Sequence, residues 1–234
     1  ALNGTNGFVI NGVSAQDISG SSVSIAGDVN GDGISDLIIG APGAGPGLRS
    51  AAGASYVVFG SRNGFNSSFE LSALNGTNGF VMNGVSAGDS SGSSVSTAGD
   101  INDDGMDDVI VGAYLASPPG RTWAGASYVV FGSKNGFNSS LELSTLNGAN
   151  GFVINGVSMD DRSGMSVSAA DDVNDDGIAD VMIGAQYASP DGIRLSAGVS
   201  YVIYGQSSVG FFAHHETVGK NFAPVEQPAM KLGM

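Results

Sequence analysis

The sequence contains no cysteine among its 234 residues, and few of its residues are charged. The absence of cysteine excludes disulfide bonds, thiolate-bound metals and cysteine nucleophiles together. Only 13% of the residues carry charge, and 22 acidic residues outnumber 8 basic ones, which gives a formal net charge of -14. A chain this acidic repels nucleic acid and anionic lipid, because phosphate groups find few Lys or Arg partners on it.

Long hydrophobic runs are also missing. No apolar run approaches the roughly 20 residues that a membrane-spanning helix needs, and no helical period is evident in the repeated parts of the sequence. Glycine, in contrast, is abundant with 38 residues, but it shows no Gly-X-Y period that would indicate collagen. Frequent glycine between short apolar runs is typical of short strands joined by tight turns. The composition therefore favours an all-β fold.

The chain repeats itself at a constant spacing. Asp28, Asp100 and Asp172 are evenly spaced and open near-identical segments, and the segments GFVINGV, GFVMNGV and GFVINGV follow one another with the same step. The segment SYVVFG occurs twice at this spacing, and a third copy, SYVIYG, arrives one residue late. The extra residue lies in the stretch ASPDGIRLSAG, which predicts an exposed loop there because loops tolerate insertions.

Each repeat holds four strand-like runs, which in the first repeat are Ser22–Ala26, Leu37–Ile39, Ser55–Phe59 and Phe80–Met82. Four short strands per unit with glycine-rich turns are typical of a β-propeller blade. A β-sandwich and a linear solenoid are the alternatives, although a unit of about 72 residues is long for one coil of a solenoid. We predict blades at about 20–85, 92–157 and 164–205, an N-terminal strand at about 8–13, and a non-repeat tail at 206–234.

The most informative motif is an acidic loop that occurs once in every repeat. It reads DVNGDGISD at 28–36, DINDDGMDD at 100–108 and DVNDDGIAD at 172–180, with oxygen side chains at loop positions 1, 3, 5 and 9. Calcium takes six to eight hard oxygen ligands and tolerates irregular geometry, so alternating ligands can wrap one ion. Glycine at position 6 permits the sharp turn that directs the backbone carbonyl of position 7 inward.

These loops predict about three Ca²⁺ ions per chain. The predicted ligands are Asp28, Asn30, Asp32, the Ile34 carbonyl and Asp36; Asp100, Asn102, Asp104, the Met106 carbonyl and Asp108; and Asp172, Asn174, Asp176, the Ile178 carbonyl and Asp180. An EF-hand is excluded, because it requires a glutamate at position 12, where these loops have Ile or Val. Solvated turns remain the alternative, but three loops in register with three aspartates each disfavour it.

The order of motifs SGSSVS, AGDVNGDGISDLIIGAP and GASYVVFG resembles the FG-GAP repeat of integrin α-subunit propellers and their bacterial relatives. The GAP sequence stands at 40–42, and FG stands at 59–60 and 131–132. GAP becomes GAY at 112–114 and GAQ at 184–186, and FG becomes YG at 204–205. The resemblance covers about residues 2–205. It implies a β-propeller with Ca²⁺ between the first two strands of a blade, and adhesion or ligand recognition outside the cell.

The sequence does not favour an enzyme. Both histidines, His214 and His215, lie in the tail, so no repeat contains a histidine that could activate a serine. Adjacent histidines rarely face one ion, which disfavours a metal site there with Glu216. Trp123, the only tryptophan, could stack on a sugar. The sequence therefore favours a structural, adhesion or assembly module that is secreted or at the cell surface. The alternatives are a lectin of propeller type and a non-catalytic domain that accompanies an enzyme.

Three blades do not suffice for a ring, because propellers have four to eight, and family propellers commonly have about seven. The segment Phe8–Val13 is an outer strand without inner strands of its own, and the third repeat lacks an outer strand after Tyr201–Tyr204. The N-terminal strand could complete the third blade within the same chain or in a neighbouring chain. We predict self-association, as a dimer or a head-to-tail assembly, which completes the ring, with the aromatic tail docking on a neighbour.

Overall fold

The computed structural model describes residues 1–193 and 195–207, and within these residues the chain is all-β. After strand β1 (Val9–Asn11), the first repeat forms β2 (Ser22–Gly27), β3 (Asp36–Ala41), β4 (Ala54–Val58), β5 (Ser68–Glu70) and β6 (Gly79–Asn83). The second repeat forms β7 (Ser94–Gly99), β8 (Asp108–Ala113), β9 (Ala126–Val130), β10 (Ser140–Glu142) and β11 (Gly151–Asn155). The third forms β12 (Ser166–Asp171), β13 (Asp180–Ala185) and β14 (Val199–Ile203).

Each repeat is built around one antiparallel sheet, which we call a blade. Blade 1 has the order β2-β3-β4-β6, blade 2 has β7-β8-β9-β11, and blade 3 has β12-β13-β14. The predicted all-β fold of propeller blades is thereby confirmed. Blade 3 has three strands rather than four within the described residues. The predicted tail at 206–234 lies outside them apart from its first two residues, as do His214, His215 and Glu216.

The second strands of blades 1 and 2 are apolar on both faces because neighbouring elements cover both faces, whereas Met182 in β13 is 43% exposed. Successive residues of a strand point to opposite faces, and in β3 the side chain of Ile38 packs toward blade 2 while that of Ile39 packs toward β1 and β5. Both side chains are buried. A continuous apolar run is expected for a strand that is covered on both sides.

Two clusters of buried side chains join the blades. Between blades 1 and 2, Val57 and Met82 pack with Val95 and Val111. The cluster between blades 2 and 3 has the corresponding side chains Val129, Ile154, Val167 and Ile183. Because burial of apolar surface is the main favourable term in folding, each blade depends on the next for much of its core.

Two short strands, β5 and β10, were not predicted from the sequence. Strand β10 leaves its own repeat and pairs in parallel with β6, the outer strand of blade 1, and β5 pairs in the same way with β1. A 3-10 turn follows each of them and buries Leu71 or Leu143. Strand β10 thereby becomes the fifth strand of the sheet of blade 1, whereas β5 and β1 form a sheet of two strands.

Within the described ranges, none of the helices has the length and apolarity that crossing a membrane would require.

Candidate metal centres

The three acidic loops connect the first strand of each blade to the second. They join β2 to β3, β7 to β8 and β12 to β13. Each follows a register shift, or β-bulge, at the end of the first strand, such as the shift between Ile25 and Gly27. The loops are thus strand–loop–strand connections, in contrast to the helix–loop–helix arrangement of an EF-hand.

The aspartate at position 1 organises each loop by accepting backbone hydrogen bonds. In the first loop, Asp28 Oδ1 accepts from the Asp32 N–H at 2.9 Å, and Asp28 Oδ2 accepts from the Gly33 N–H at 2.8 Å. Asp100 and Asp172 accept the corresponding bonds at 2.7–3.1 Å. The three loops therefore share one backbone conformation. In each of them the glycine at position 6 has a positive φ of 82° to 87°, which glycine adopts without the penalty that other residues incur.

Positions 3 and 5 continue the same pattern. Asn30 Oδ1 accepts from the Asp32 N–H at 2.9 Å, and Asp32 Oδ1 accepts from the Ile34 N–H, also at 2.9 Å. The Asn30 side-chain amide donates to Asp32 Oδ2 at 3.2 Å. The same three contacts recur in the second and third loops. Oxygen atoms from positions 1, 3 and 5 are thus brought together around the backbone N–H groups of positions 5 to 7.

The aspartate at position 9 is fully buried and attaches the loop to the blade. Asp36 Oδ2 accepts from the Val29 N–H at 3.0 Å, and Asp36 Oδ1 accepts from the Gly60 N–H at 2.8 Å. Asp108 and Asp180 make the equivalent pairs of bonds. Gly60 is the glycine of the FG sequence, and a Cβ atom there would lie 2.6 Å from the Ser35 carbonyl oxygen. The FG glycine is therefore required for close approach to the loop.

Burial changes the electrostatics of position 9. Removal from water is the largest effect on Asp36 and raises its pKa, the two backbone N–H bonds lower it, and the charges of Asp32 and Asp28 raise it, so that the pKa of Asp36 is about 6. The same causes raise the pKa of Asp108 to about 8 in the middle loop, which is the more buried of the two. In the exposed third loop the pKa of Asp172, at position 1, is lowered, and the hydrogen bond from the Gly177 N–H is the largest cause. A buried carboxylate among other acids is stabilised by a nearby cation.

The donor set fits a hard cation in its chemistry, because every predicted side-chain ligand offers oxygen. An oxygen atom that accepts one N–H bond keeps a second lone pair that can bind an ion. Nevertheless, no group of three His, Cys, Asp or Glu side chains in the described part of the chain is arranged so that it could hold a metal ion. The physical reason is that the carboxylates accept hydrogen bonds from backbone N–H groups, and that the residue at position 3 is asparagine in every loop. The fifteen ligands, including the Ile34, Met106 and Ile178 carbonyls, remain a prediction.

Neighbouring loops are connected by a residue that the sequence analysis did not identify. The Asp28 N–H donates to Asp107 Oδ2 at 2.7 Å, and the Asp107 N–H donates to the Asp28 carbonyl at 3.2 Å. The residues equivalent to Asp107 are Ser35 and Ala179, so the repeat pattern carries no signal for this contact. The contact links the first two loops through an acidic side chain.

A cavity of about 560 Å³ lies beside blade 2. Trp123, Asp89 and Tyr128 contribute to its lining. Trp123 is 48% exposed and has a positive φ of 49°, which is unusual for a bulky residue. Asp89 is buried, which raises its pKa, and the Ser86 N–H donates to its carboxylate at 3.0 Å. Asp17 and Asp161 lie at the equivalent positions of the neighbouring units and accept the same hydrogen bond. The three aspartates are spaced at the period of the repeat, so the sequence already indicated this position.

Comparison with known proteins places these features in a family. The FG-GAP repeat matches residues 19–58, 91–130 and 163–203, which is more than half of the chain. The chain is 32% identical over 181 residues to phosphatidylinositol-glycan-specific phospholipase D of Bos taurus, which covers 77% of this chain and 20% of that protein. It is 31% identical over 176 residues to the Dictyostelium discoideum protein of that name, covering 71% and 18%.

Integrins are also among the relatives. Integrin alpha pat-2 of Caenorhabditis elegans is 36% identical over 108 residues, which covers 46% of this chain and 8% of the integrin. The chain thus spans a fifth or less of the length of these curated relatives. The matched segments cover the first three strands of each blade and include every acidic loop, and the chain therefore belongs to the FG-GAP repeat family.

Proposed function

We propose that this chain is a non-catalytic, calcium-binding propeller module that acts outside the cell, secreted or at the cell surface, in adhesion or assembly. The observation that carries the proposal is the recurrence of one loop conformation, with the same aspartate and asparagine contacts, in all three blades. Random solvated turns would have no reason to repeat these contacts within one chain. Relatives named as integrins support a role outside the cell.

Calcium would supply positive charge where the fold concentrates negative charge. Three ions would change the formal net charge from -14 to -8, since each adds two. Asp28, Asn30 and Asp32 would offer oxygens from the loop, and Asp36 would do so from the buried end. The effect on stability follows from binding to the native state alone, about 2.7 kcal/mol per site at a calcium concentration 100-fold above Kd. We therefore expect calcium to stiffen the loops and raise Tm.

The test combines thermal unfolding with ion counting. Removal of calcium with excess EGTA is expected to lower Tm, and native mass spectrometry is expected to find three ions per chain. Asp104→Ala is expected to lose one of the three ions and to leave the outer sites occupied. Asp103→Asn is the matched control, because it removes the same charge from the adjacent residue at a position with no predicted ligand. An unchanged Tm in EGTA, or three ions still bound to Asp104→Ala, would refute the proposal.

A second candidate function is glycan binding at the cavity beside blade 2. The half-exposed indole of Trp123 over that cavity is the observation that favours it, since an aromatic face beside polar groups suits a sugar ring. A glycan array probed with the wild type and with Trp123→Ala distinguishes the candidates. Binding that disappears in the variant would support a lectin, and no binding on any glycan would leave the structural role alone.

A further inference from the structure

Hydrogen bonds connect the acidic loops of neighbouring blades. In the second loop, the buried Asp108 Oδ1 accepts from the Gly132 N–H at 2.8 Å. The N–H of the next residue, Ser133, donates to the Val29 carbonyl of the first loop at 2.9 Å. The Val29 N–H donates in turn to Asp36 Oδ2 at 3.0 Å. A short relay of backbone groups therefore joins the buried aspartates of the first two loops.

The same backbone relay recurs between the second and third loops. The Gly205 N–H donates to Asp180 Oδ1 at 2.9 Å, and the Gln206 N–H donates to the Ile101 carbonyl at 3.0 Å. The Ile101 N–H then donates to Asp108 Oδ2 at 3.0 Å. The relay is thus a property of the repeat and is common to both junctions.

The first junction carries an additional link through the side chain of Asp107, at position 8 of the second loop. Asp107 Oδ2 accepts from the Asp28 N–H at 2.7 Å, and the Asp107 N–H donates to the Asp28 carbonyl at 3.2 Å. The carboxylate of Asp28 accepts in turn from the N–H groups of Asp32 and Gly33. Asp107 therefore holds both backbone polar groups of the residue whose side chain organises the first loop.

Packing keeps Asp107 in this place, and the second junction lacks its counterpart. Asp107 is half-buried, and a Cβ atom on Gly27 would collide with its side chain. The backbones approach in the same way at the second junction, where a Cβ atom on Gly99 would lie 2.6 Å from the Ala179 Cβ. The methyl group of Ala179 cannot accept a hydrogen bond from the Asp100 N–H. The side-chain link is therefore specific to the first and second loops.

We propose that Asp107 is a positioning residue that couples calcium binding in the first loop to calcium binding in the second. The proposal rests on the proposed function, in which the acidic loops bind calcium. Asp107 stands between two predicted ligands of the second loop, the Met106 carbonyl and the Asp108 carboxylate. Binding through these two neighbours restrains Asp107, and Asp107 restrains Asp28 through two hydrogen bonds.

The sign of the coupling follows from the cost of ordering a loop. A loop that is already restrained loses less conformational freedom when it binds an ion, so an occupied second loop raises the affinity of the first. Coupling between two sites is reciprocal and typically changes an affinity by a factor of about 5 to 150. We expect a factor of at least about 5 between the first two loops. Weaker coupling is expected between the second and third loops, which share only the backbone relay.

The first test measures hydrogen exchange at the Asp28 amide by NMR in the variant Asp32→Ala, whose first loop has lost a predicted ligand. Calcium in the second loop is expected to slow this exchange at least about fivefold, because Asp107 accepts the hydrogen bond of this amide. Adding Asp107→Ala is expected to abolish the slowing. Asp103→Asn is the matched control, since it removes the same charge from an exposed position of the same loop. An exchange rate that ignores calcium, or that Asp103→Asn changes as Asp107→Ala does, would overturn the proposal.

The second test counts ions by native mass spectrometry during a calcium titration. Asp176→Ala leaves the first and second loops intact, and Asp32→Ala leaves the second and third. Two equal independent sites give about half of the molecules one ion at half-saturation, and a fivefold coupling lowers this fraction to about a third. The depletion is expected in Asp176→Ala and not in Asp32→Ala. Adding Ala179→Asp to Asp32→Ala is expected to produce it there, and equal depletion in both single variants would contradict the role of Asp107.

The outcomes separate this proposal from the proposed function. Three ions on the wild type, together with an Asp28 amide in Asp32→Ala that does not respond to calcium, would overturn the coupling and leave calcium binding intact. A wild type that binds no calcium would overturn both. Ala179→Asp adds a link without removing any contact, so the proposal can still be refuted if Asp107→Ala does not fold.

Discussion

Gly112→Ala tests the idea that close glycine contacts hold the blades together. The added Cβ atom would lie 2.1 Å from the Gly164 carbonyl oxygen and 2.3 Å from the Ser94 hydroxyl oxygen, where ordinary van der Waals contact requires more than 3.4 Å. Blades 2 and 3 would have to separate by more than 1 Å at this point. Overpacking of this kind costs about 1–3 kcal/mol. The hydrogen bond that the Ser94 hydroxyl donates to the Gly164 carbonyl at 2.8 Å would also be lost, at about 1 kcal/mol.

The expected loss of unfolding free energy is therefore about 2–4 kcal/mol, a large part of the stability of an ordinary domain. Denaturant unfolding in excess calcium measures it from the change in midpoint at constant slope. Gly45→Ala is the control, because its Cβ atom would meet nothing closer than 3.5 Å and its φ of -117° suits alanine. If Gly112→Ala stays within about 0.5 kcal/mol of the wild type, as surface changes do, the close-contact reasoning is refuted.

Two further changes give distinct expected outcomes. Ser127→Ala should be neutral or stabilise by up to about 1 kcal/mol, because the buried Ser127 hydroxyl has no hydrogen-bond partner among the described residues and its removal ends a desolvation cost. A loss of more than about 1 kcal/mol in denaturant unfolding would contradict this. Burial raises the pKa of Asp89, so the folded state favours the protonated form and ionisation costs stability as pH rises through the folded pKa. Asp89→Asn should consequently gain stability relative to the wild type as pH rises above about 4, the ordinary pKa of aspartate, and a pH-independent difference in Tm would show that burial does not control this carboxyl group.

Most of the fold could be predicted from the sequence repeat. The even spacing of the repeats and the short apolar runs within them were sufficient to predict the four main strands of a blade, because these strands are apolar where they pack on a neighbouring blade. Strands β5 and β10 could not be predicted, since SFE and SLE are too short for a pattern and each pairs with the outer strand of another repeat. The partner of such a strand is a property of the folded chain.

The sequence by itself determined the chemistry of the acidic loops. Oxygen side chains at positions 1, 3, 5 and 9 and glycine at position 6 specify a sharp turn rich in hard donors, whatever surrounds it. Only the tertiary structure decided how those oxygens are used: Asp36 turns onto the Val29 and Gly60 N–H groups, and Asp28 meets Asp107 of the next blade. It also decided which side chains are covered: within the described residues no blade packs on Val23 or Val202, which have the same residue type as their buried counterparts Val95 and Val129. Local sequence specifies a turn through its own backbone, whereas burial depends on what packs against it.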